Sequence, residues 1–348
     1  MESYDVTEWG KPLQKRMRET PQPQGTQVLV RVSHCGVCHS DVHVQEGFFD
    51  LGGGKRMSFA DRLPMPVTLG HEMVGEVVSA GDGATAVAAG TRVLVNPWVG
   101  CGKCDLCKAD HDNLCAKGLA LGIQIPGGFA THVLVPHPKY LHAIDGLDPA
   151  LAAPLACSGV TTYSAAKKLM PIDRNEWVAV IGAGGLGLSA ISALRALGHE
   201  KILSCDLDDA KLQVAKDWGA QAVCNIREDA AKRIVAAAGA QLYGMLDFVG
   251  ATQTFDLATP VLRKGGRYVV CGLFGGLGSV STVMLALREM SVMGSYVGSP
   301  RDLRELVELA QAGKLRMGNV KTRPLEEAEQ ALRDLADGKV VGRQVLVN

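Results

Sequence analysis

Ten consecutive residues, His34-Cys35-Gly36-Val37-Cys38-His39-Ser40-Asp41-Val42-His43, set two thiols, three imidazoles, a hydroxyl and a carboxylate side by side. Thiolate sulfur mixed with imidazole nitrogen suits a borderline-soft metal such as zinc. One short segment cannot close a tetrahedral shell, so further ligands must come from elsewhere in the chain. His71, in Gly70-His71-Glu72, and Cys157, in Pro154-Leu155-Ala156-Cys157-Ser158-Gly159, stand out. Cys38, His71 and Cys157 would supply two thiolates and one imidazole, leaving the fourth position to water or substrate, the pattern of a catalytic ion. Cys35-x2-Cys38 also has the spacing of a redox pair. No helix signal follows it, and the His39-Ser40-Asp41 tail fits a metal role better, so Cys35 is expected to be a packed thiol.

A second cluster, Cys101-x2-Cys104-x2-Cys107-x7-Cys115, offers four thiols at short regular spacing. It reads as a closed four-thiolate zinc site, structural because no position is left for ligand exchange. An iron–sulfur cluster is the weaker alternative, since such runs space their ligands differently and end in Cys-Pro. Such a lobe is a staple for a loop that apolar burial alone could not fold. Of the ten cysteines, these two sets use six; Cys35, Cys205, Cys224 and Cys271 are expected to be buried small hydrophobes.

The third motif is Gly182-Ala183-Gly184-Gly185-Leu186-Gly187. G-x-G-x-x-G alone is a weak signal, but an apolar strand (177–181) precedes it and a helix (188–197) follows. The first glycine permits a tight turn, the second lets a pyrophosphate reach the backbone, and the third lets helix pack on strand. The next strand (201–205) ends at Asp206, about twenty residues on, where an acid would accept the ribose 2′-hydroxyl and repel a 2′-phosphate. The expected cofactor is NAD rather than NADP.

These residues need elements to hold them. A β-branched strand (27–33) leads into the first ligand stretch, and a glycine-bearing excursion (48–62) reads as a mobile loop beside it. Strands at 73–78, 91–96, 129–135 and 140–143 follow, and an alanine-rich helical segment from Leu151 to Lys168 carries Cys157. From Trp177 onward strands and helices alternate, with strands ending at Asn225, Gly250 and Gly272 and a sixth over 291–297, which predicts a doubly wound parallel sheet. Amphipathic helices (302–312 and 325–336) precede a last strand (340–347) that is expected to return to the first domain. At 348 residues, two domains are the prior. Thirty-six basic residues balance thirty-six acidic ones, which gives no electrostatic footprint for nucleic acid or an anionic membrane. The polar, acidic N-terminus has no secretory pattern and no apolar run reaches about eighteen residues, so the expected location is cytoplasmic.

Taken in order, Gly36-Val37-Cys38-His39-Ser40-Asp41, Gly70-His71-Glu72, the four-cysteine lobe, Cys157-Ser158-Gly159, Gly182 to Gly187 with Asp206, and Gly342-Arg343-Gln344-Val345-Leu346 resemble the zinc-dependent medium-chain alcohol dehydrogenases over nearly the whole chain. Phe49, the longer loop before His71, and Val95-Asn96-Pro97-Trp98 resemble the tetrameric bacterial and archaeal branch. The resemblance implies an α/β protein in which residues 1–155 and 298–348 form a mainly β, GroES-like catalytic domain with a structural zinc lobe at 98–116. It places a Rossmann NAD-binding domain at 156–297, and implies two zinc ions per subunit and a homotetramer. It puts Cys38, His71 and Cys157 on the catalytic zinc, Ser40 against the substrate oxygen and His43 further along a proton relay. Asp41 would orient the zinc-bound imidazole, and Glu72 would stand behind the metal. His39 and Arg343 would contact the cofactor phosphates and Lys211 the adenosine ribose. Val249, Gly272 and Leu273, at later strand ends, complete the cofactor-facing set. Phe49, Trp98, Ile123 and Tyr296 are candidates for the pocket wall.

The implied reaction is reversible oxidation of primary or secondary alcohols, aliphatic, cyclic or aromatic, by hydride transfer to NAD. A polyol or sugar dehydrogenase, or a carbonyl reductase on the same fold, is the alternative. A zinc-free quinone reductase would lack Cys38 and His71. A nucleic-acid-binding zinc finger would need a basic or aromatic stripe that is absent here. The remaining histidines (His34, His111, His132, His137, His142, His199) are expected to be structural or exposed.

Overall fold

The computed structural model describes residues 1–348 and builds them on two large sheets. The first grows from β1 (Val28–Val37), whose Val28, Val30 and Val32 are buried. Its end is where chemistry begins: Cys38 is the N-cap of α1 (His39–Glu46), and the Asp41 carboxylate accepts the Cys38 backbone N–H at 2.9 Å. The expectation that no helix follows Cys38 is therefore corrected. The signals were present, an acid at the third helical position and Gly47 closing the helix at φ +90°, but α1 is short and only weakly amphipathic.

Residues 48–62 differ from expectation in a similar way. Phe48–Asp50 (β2) and Arg56–Ser58 (β3) pair as a hairpin, turned by Gly52, Gly53 and Gly54, all at positive φ. Next, β4 (Glu72–Ala80) lies antiparallel to β1, with Met73 opposite Cys35 and Glu72 opposite Gly36. That register sets His71, just before β4, beside the end of β1. β5 (Arg92–Val95), β6 (His132–Val135) and β7 (Leu141–Ala143) extend the sheet to the order β7-β5-β4-β1, with β6 on the other side of β1.

The helical segment carrying Cys157 is broken at that residue. A 3₁₀ turn (Ala153–Ala156) ends before it, α2 (Ser158–Lys167) starts after it, and Cys157 itself has φ −126° and ψ −76°. The break turns its side chain toward the end of β1.

The second sheet is six-stranded and parallel throughout: β8 (Val178–Ile181), β9 (Ile202–Asp206), β10 (Ala222–Asn225), β11 (Leu242–Asp247), β12 (Leu262–Val270) and β13 (Ser291–Gly294), in the order β10-β9-β8-β11-β12-β13. β8 connects to β9 through α3 (Gly185–Ala196). Strand order reverses between β8 and β11, and ligands of such sheets bind in the crevice at the carboxyl ends of the strands there.

The chain then returns through α4 (Pro300–Gln311), β14 (Val320–Pro324) and β15 (Arg343–Val347). As expected, the last strand joins the first sheet: β15 pairs antiparallel with β1, Leu346 opposite Cys35 and Gln344 opposite Val37. The two sheets share apolar packing, since one buried cluster joins Val74, Leu94 and Val345 to Leu155, Ala193, Leu303 and Leu306. No helix is long and apolar enough to cross a membrane.

Candidate functional site

Three strand and helix ends meet where β1, β4 and the start of α2 converge. Cys38 Sγ and Cys157 Sγ lie 4.0 Å apart, and with His71 and Glu72 their ligand atoms all fall within 4.8 Å of one another. Two thiolates on one zinc, each about 2.3 Å from it, would stand about 3.8 Å apart. The imidazole is aimed by its partner: His71 Nδ1 lies 3.1 Å from Asp41 Oδ1, which also accepts the Gly70 N–H at 3.1 Å. His71 Nε2 is buried with no protein partner. A fully buried nitrogen without a hydrogen bond, facing two thiols, is what a metal ion would satisfy, so the residues present fit zinc.

The electrostatics favour thiolate. The hydrogen bond from Cys157 pulls the Cys38 thiol well below the usual thiol range, and the same contact, with burial, pushes Cys157 well above it. Burial opposes protonation of His71, but the Asp41 carboxylate and the Cys38 sulfur together outweigh it and raise the imidazole well above its ordinary value.

Glu72 stands behind this group, fully buried, and both its oxygens accept from Arg343. Burial pushes its carboxyl up to about 7, with Arg343 opposing. Only a glycine at 36 leaves room for it, because a Cβ there would come within 1.9 Å of Glu72 Oε2. Arg343, expected at the cofactor phosphates, is thus held by Glu72, while its side chain also packs beside Gly185.

Ser40 and His43 share one side of α1, three residues apart. His43 is partly exposed, with Nδ1 3.7 Å from Glu46. Trp98 and Ile123 pack with Cys38, Cys157, Ala120 and Val297, and the Tyr296 ring meets Trp98 edge-on at 5.9 Å. Phe49 is not brought into that group: its ring lies 5.2 Å from His43 and 5.1 Å from Phe59. Val297 is a neighbour that sequence reasoning missed. It is β-branched and sits at φ +40°, a strained conformation that no pattern in the chain announces.

The glycine loop has the shape its motif requires. Gly182 adopts φ +91°, and a Cβ on Gly187 would come within 1.9 Å of Gly182 O. A Cβ on Gly184 would meet nothing within 4 Å, so its backbone faces open space at the start of α3. Asp206 ends β9; its carboxylate accepts from Ala183 N at 2.6 Å and from Leu207 N at 2.7 Å, which fixes it beside the loop. Lys211 lies in the first turns of the helix Asp209–Asp217. Val249 and Gly272 line the strand ends opposite, shaped by buried Asp247, which accepts the Val249 and Gly250 N–H groups. His39 and Leu273 are exposed there, His39 with its ring 6.1 Å from Phe274. This crevice fits a dinucleotide.

The cysteine lobe is separate. Its sulfurs stand 4.0 Å (Cys101–Cys107), 3.5 Å (Cys104–Cys107) and 3.8 Å (Cys104–Cys115) apart, and all four lie within 4.8 Å of one another. These spacings fit one tetrahedral zinc. Backbone N–H groups of Lys103 and Cys104 draw Cys101 down to about 6, whereas burial pushes Cys107 up to about 12. The lobe is anchored by buried Asp112, which accepts from Tyr140 Oη at 2.8 Å and from Lys139.

Comparison with known proteins follows the same division. Residues 24–145 match the alcohol dehydrogenase GroES-like domain, and residues 185–312 match the zinc-binding dehydrogenase domain. The chain is 39% identical to the NAD-dependent alcohol dehydrogenase of Sulfurisphaera tokodaii and 37% to that of Saccharolobus solfataricus, covering all of each chain in both cases. The alcohol dehydrogenase from Aeropyrum pernix superposes with a TM-score of 0.89 at 31% identity, over the full length of both chains.

Proposed function

Because this chain belongs to the zinc-binding alcohol dehydrogenase family, we propose that Cys38, His71 and Cys157 hold its catalytic ion, and that the crevice beside them is where alcohol meets NAD. The protein is an NAD-dependent, zinc-dependent oxidoreductase acting on alcohols. The observation that carries the site assignment is the convergence of those three side chains around the orphaned His71 Nε2. When bound, zinc supplies a Lewis acid that makes the alcohol hydroxyl acidic, and NAD supplies the hydride acceptor.

The chain's own residues do the rest. Asp41 holds His71 by Nδ1 so that Nε2 points at the sulfurs. Ser40 accepts the proton of the substrate hydroxyl while releasing its own hydroxyl proton, and His43, three residues along α1, carries the released proton toward solvent. Glu72, neutralised by Arg343, sets the field behind the ligands. The glycine loop and the N-terminus of α3 receive the pyrophosphate, aided by His39 and by Arg343, and Asp206 takes the ribose 2′-hydroxyl with Lys211 nearby. Val249, Gly272 and Leu273 border the nicotinamide end. Cys101, Cys104, Cys107 and Cys115 hold a second zinc whose role is structural.

Trp98, Ile123 and Tyr296 make an apolar wall, with Phe49 at a remove behind His43. This lining favours primary and secondary alcohols with aliphatic, cyclic or aromatic bodies, because burying apolar surface contributes most of the affinity in such pockets. Residues 1–155 with 298–348 form the catalytic domain and 156–297 the cofactor domain; the protein works as a cytoplasmic homotetramer. Initial rates with NAD across primary, secondary, cyclic, benzylic and polyol alcohols test the substrate reading. Higher kcat/KM for the apolar alcohols is expected; a preference for polyols would overturn it. Sedimentation velocity at working concentration tests the tetramer.

A further inference from the structure

Two of the four cysteines outside the metal clusters face each other across neighbouring strands. β9 and β10 run parallel, and their register sets Cys205 opposite Cys224. Residues paired in this way project from one face of a sheet, and both thiols lie in a single apolar cluster with Ala179, Ile181 and Ile234. Neighbouring strands stand about 4.8 Å apart, inside the span of about 4.4 to 6.8 Å that a disulfide bridges between Cα atoms. Cys35 has no such partner, being set opposite Met73 and Leu346.

The pair is asymmetric in the way that stepwise thiol oxidation requires. β10 is the edge of its sheet, and Cys224 is 6% exposed, whereas Cys205 is sealed inside. Contact with the Cys205 thiol draws Cys224 down to about 7 against the effect of burial, and the Arg233 guanidinium of the neighbouring helix (Ala230–Ala238) assists. The same contact, with burial, holds Cys205 well above the usual thiol range. By contrast, burial pushes Cys271 up to about 12. A thiolate is the nucleophile, so Cys224 is the residue placed to react first and Cys205 the one placed to resolve it.

We propose that Cys205 and Cys224 form a reversible redox site, in which a hydroperoxide oxidises the pair to a cross-strand disulfide. The Cys224 thiolate attacks one oxygen of hydrogen peroxide: an S–O bond forms, the O–O bond breaks, and hydroxide leaves to take a proton from solvent. The Cys205 thiol then attacks the Cys224 sulfur; an S–S bond forms, the S–O bond breaks, and the hydroxyl leaves as water with the Cys205 proton. Two thiols lose two electrons, one peroxide gains them, and two waters result.

The position of the pair gives this bond a consequence, which rests on the reading of the glycine-loop crevice as the NAD site. Cys205 O accepts the Gly182 N–H at 2.8 Å, Asp206 follows directly, and Asp206 O accepts the Ile226 N–H at 3.0 Å. A covalent bond holds two sulfurs closer than non-bonded contact allows, so it draws β10 against β9 at the end that presents Gly182 and Asp206 to the cofactor. NADH affinity falls on oxidation and returns on reduction by a dithiol.

The test treats zinc-loaded enzyme with a small molar excess of hydrogen peroxide, then with N-ethylmaleimide in denaturant, and maps the peptides by mass spectrometry. A linked pair of Cys205 and Cys224 peptides, lost on treatment with dithiothreitol, is expected. In Cys205→Ala, Cys224 should stop at the sulfenic acid and be trapped by dimedone; in Cys224→Ala, Cys205 should stay reduced. NADH affinity, followed by fluorescence, should weaken about tenfold in oxidised wild type and be unmoved by peroxide in either variant. Recovery of both residues as N-ethylmaleimide adducts, or linkage with no change in NADH affinity, would overturn the proposal. NADH binding to the untreated enzyme checks the crevice assignment separately, because it does not depend on oxidation of the thiols.

Discussion

The lobe takes its four thiols from a single loop between Cys101 and Cys115, whereas the buried site takes Cys38 and Cys157 from positions 119 residues apart and adds His71 between them. The lobe's sulfurs lie near the surface, with Cys101, Cys104 and Cys115 only partly covered; the other set is buried, and His71 is completely so. Four thiolates close a shell, while two thiolates and one imidazole leave a position for a reacting oxygen. Closure by neighbours in sequence makes a staple. On the proposed assignment, convergence of distant strand ends makes a reaction site, because only there can the ligands face a crevice between two sheets.

The sharpest way to break that contrast is to remove one ligand from each side. Cys38→Ser should lower kcat with a simple alcohol by about 10³-fold or more, the loss expected when several kcal/mol of Lewis-acid stabilisation disappears. Its circular dichroism and NADH affinity should match wild type, and retained turnover would refute the catalytic assignment. Cys104→Ser should do the reverse, lowering the melting temperature by on the order of 10 °C because metal binding is folding energy for such a loop. Zinc content by atomic absorption should fall by one ion per chain in each variant.

Asp41→Asn probes what distinguishes the buried site, its oriented imidazole. Zinc affinity there should drop about 10- to 100-fold while the lobe's is untouched, which competition with a chromogenic chelator would resolve into two phases. Asp206→Ser tests whether the cofactor crevice is independent of both metals. The ratio of kcat/KM for NAD over NADP should fall about tenfold at unchanged zinc content, and an unmoved ratio would remove the assigned role of Asp206.

The smallest effect is a control outside both sites. Burial, with Arg304 adding to it, lowers His142 from 6.5 to about 4, so between those values the unfolded chain binds a proton that the folded chain refuses. Stability should therefore fall as pH drops below about 6.5, by about 1 kcal/mol at pH 5.5, and should not change above it on this account. Urea melts of wild type and His142→Gln across that range would show the variant losing less; identical slopes would mean that another group carries the acid limb.

The chain alone determined whatever depends on neighbours in sequence. The four-cysteine spacing, the glycine motif between strand and helix, and Asp206 at the next strand end could all be read directly, because a loop or a turn imposes its geometry within a few residues. The pairing of Cys38 with His71 and Cys157 was legible as chemistry, from residue type, but not as proximity. Tertiary structure decided that through the β1–β4 register, which brings Glu72 opposite Gly36, and through the break at Cys157 that turns its thiol inward. It also seated Arg343 on Glu72 by returning β15 to β1, folded 48–62 into a hairpin, and drew Phe49 away from Trp98. Local alternation of apolar residues fixes which face of a strand is buried, but which distant strand it pairs with, and how two sheets pack, is decided by contacts between residues far apart in the chain.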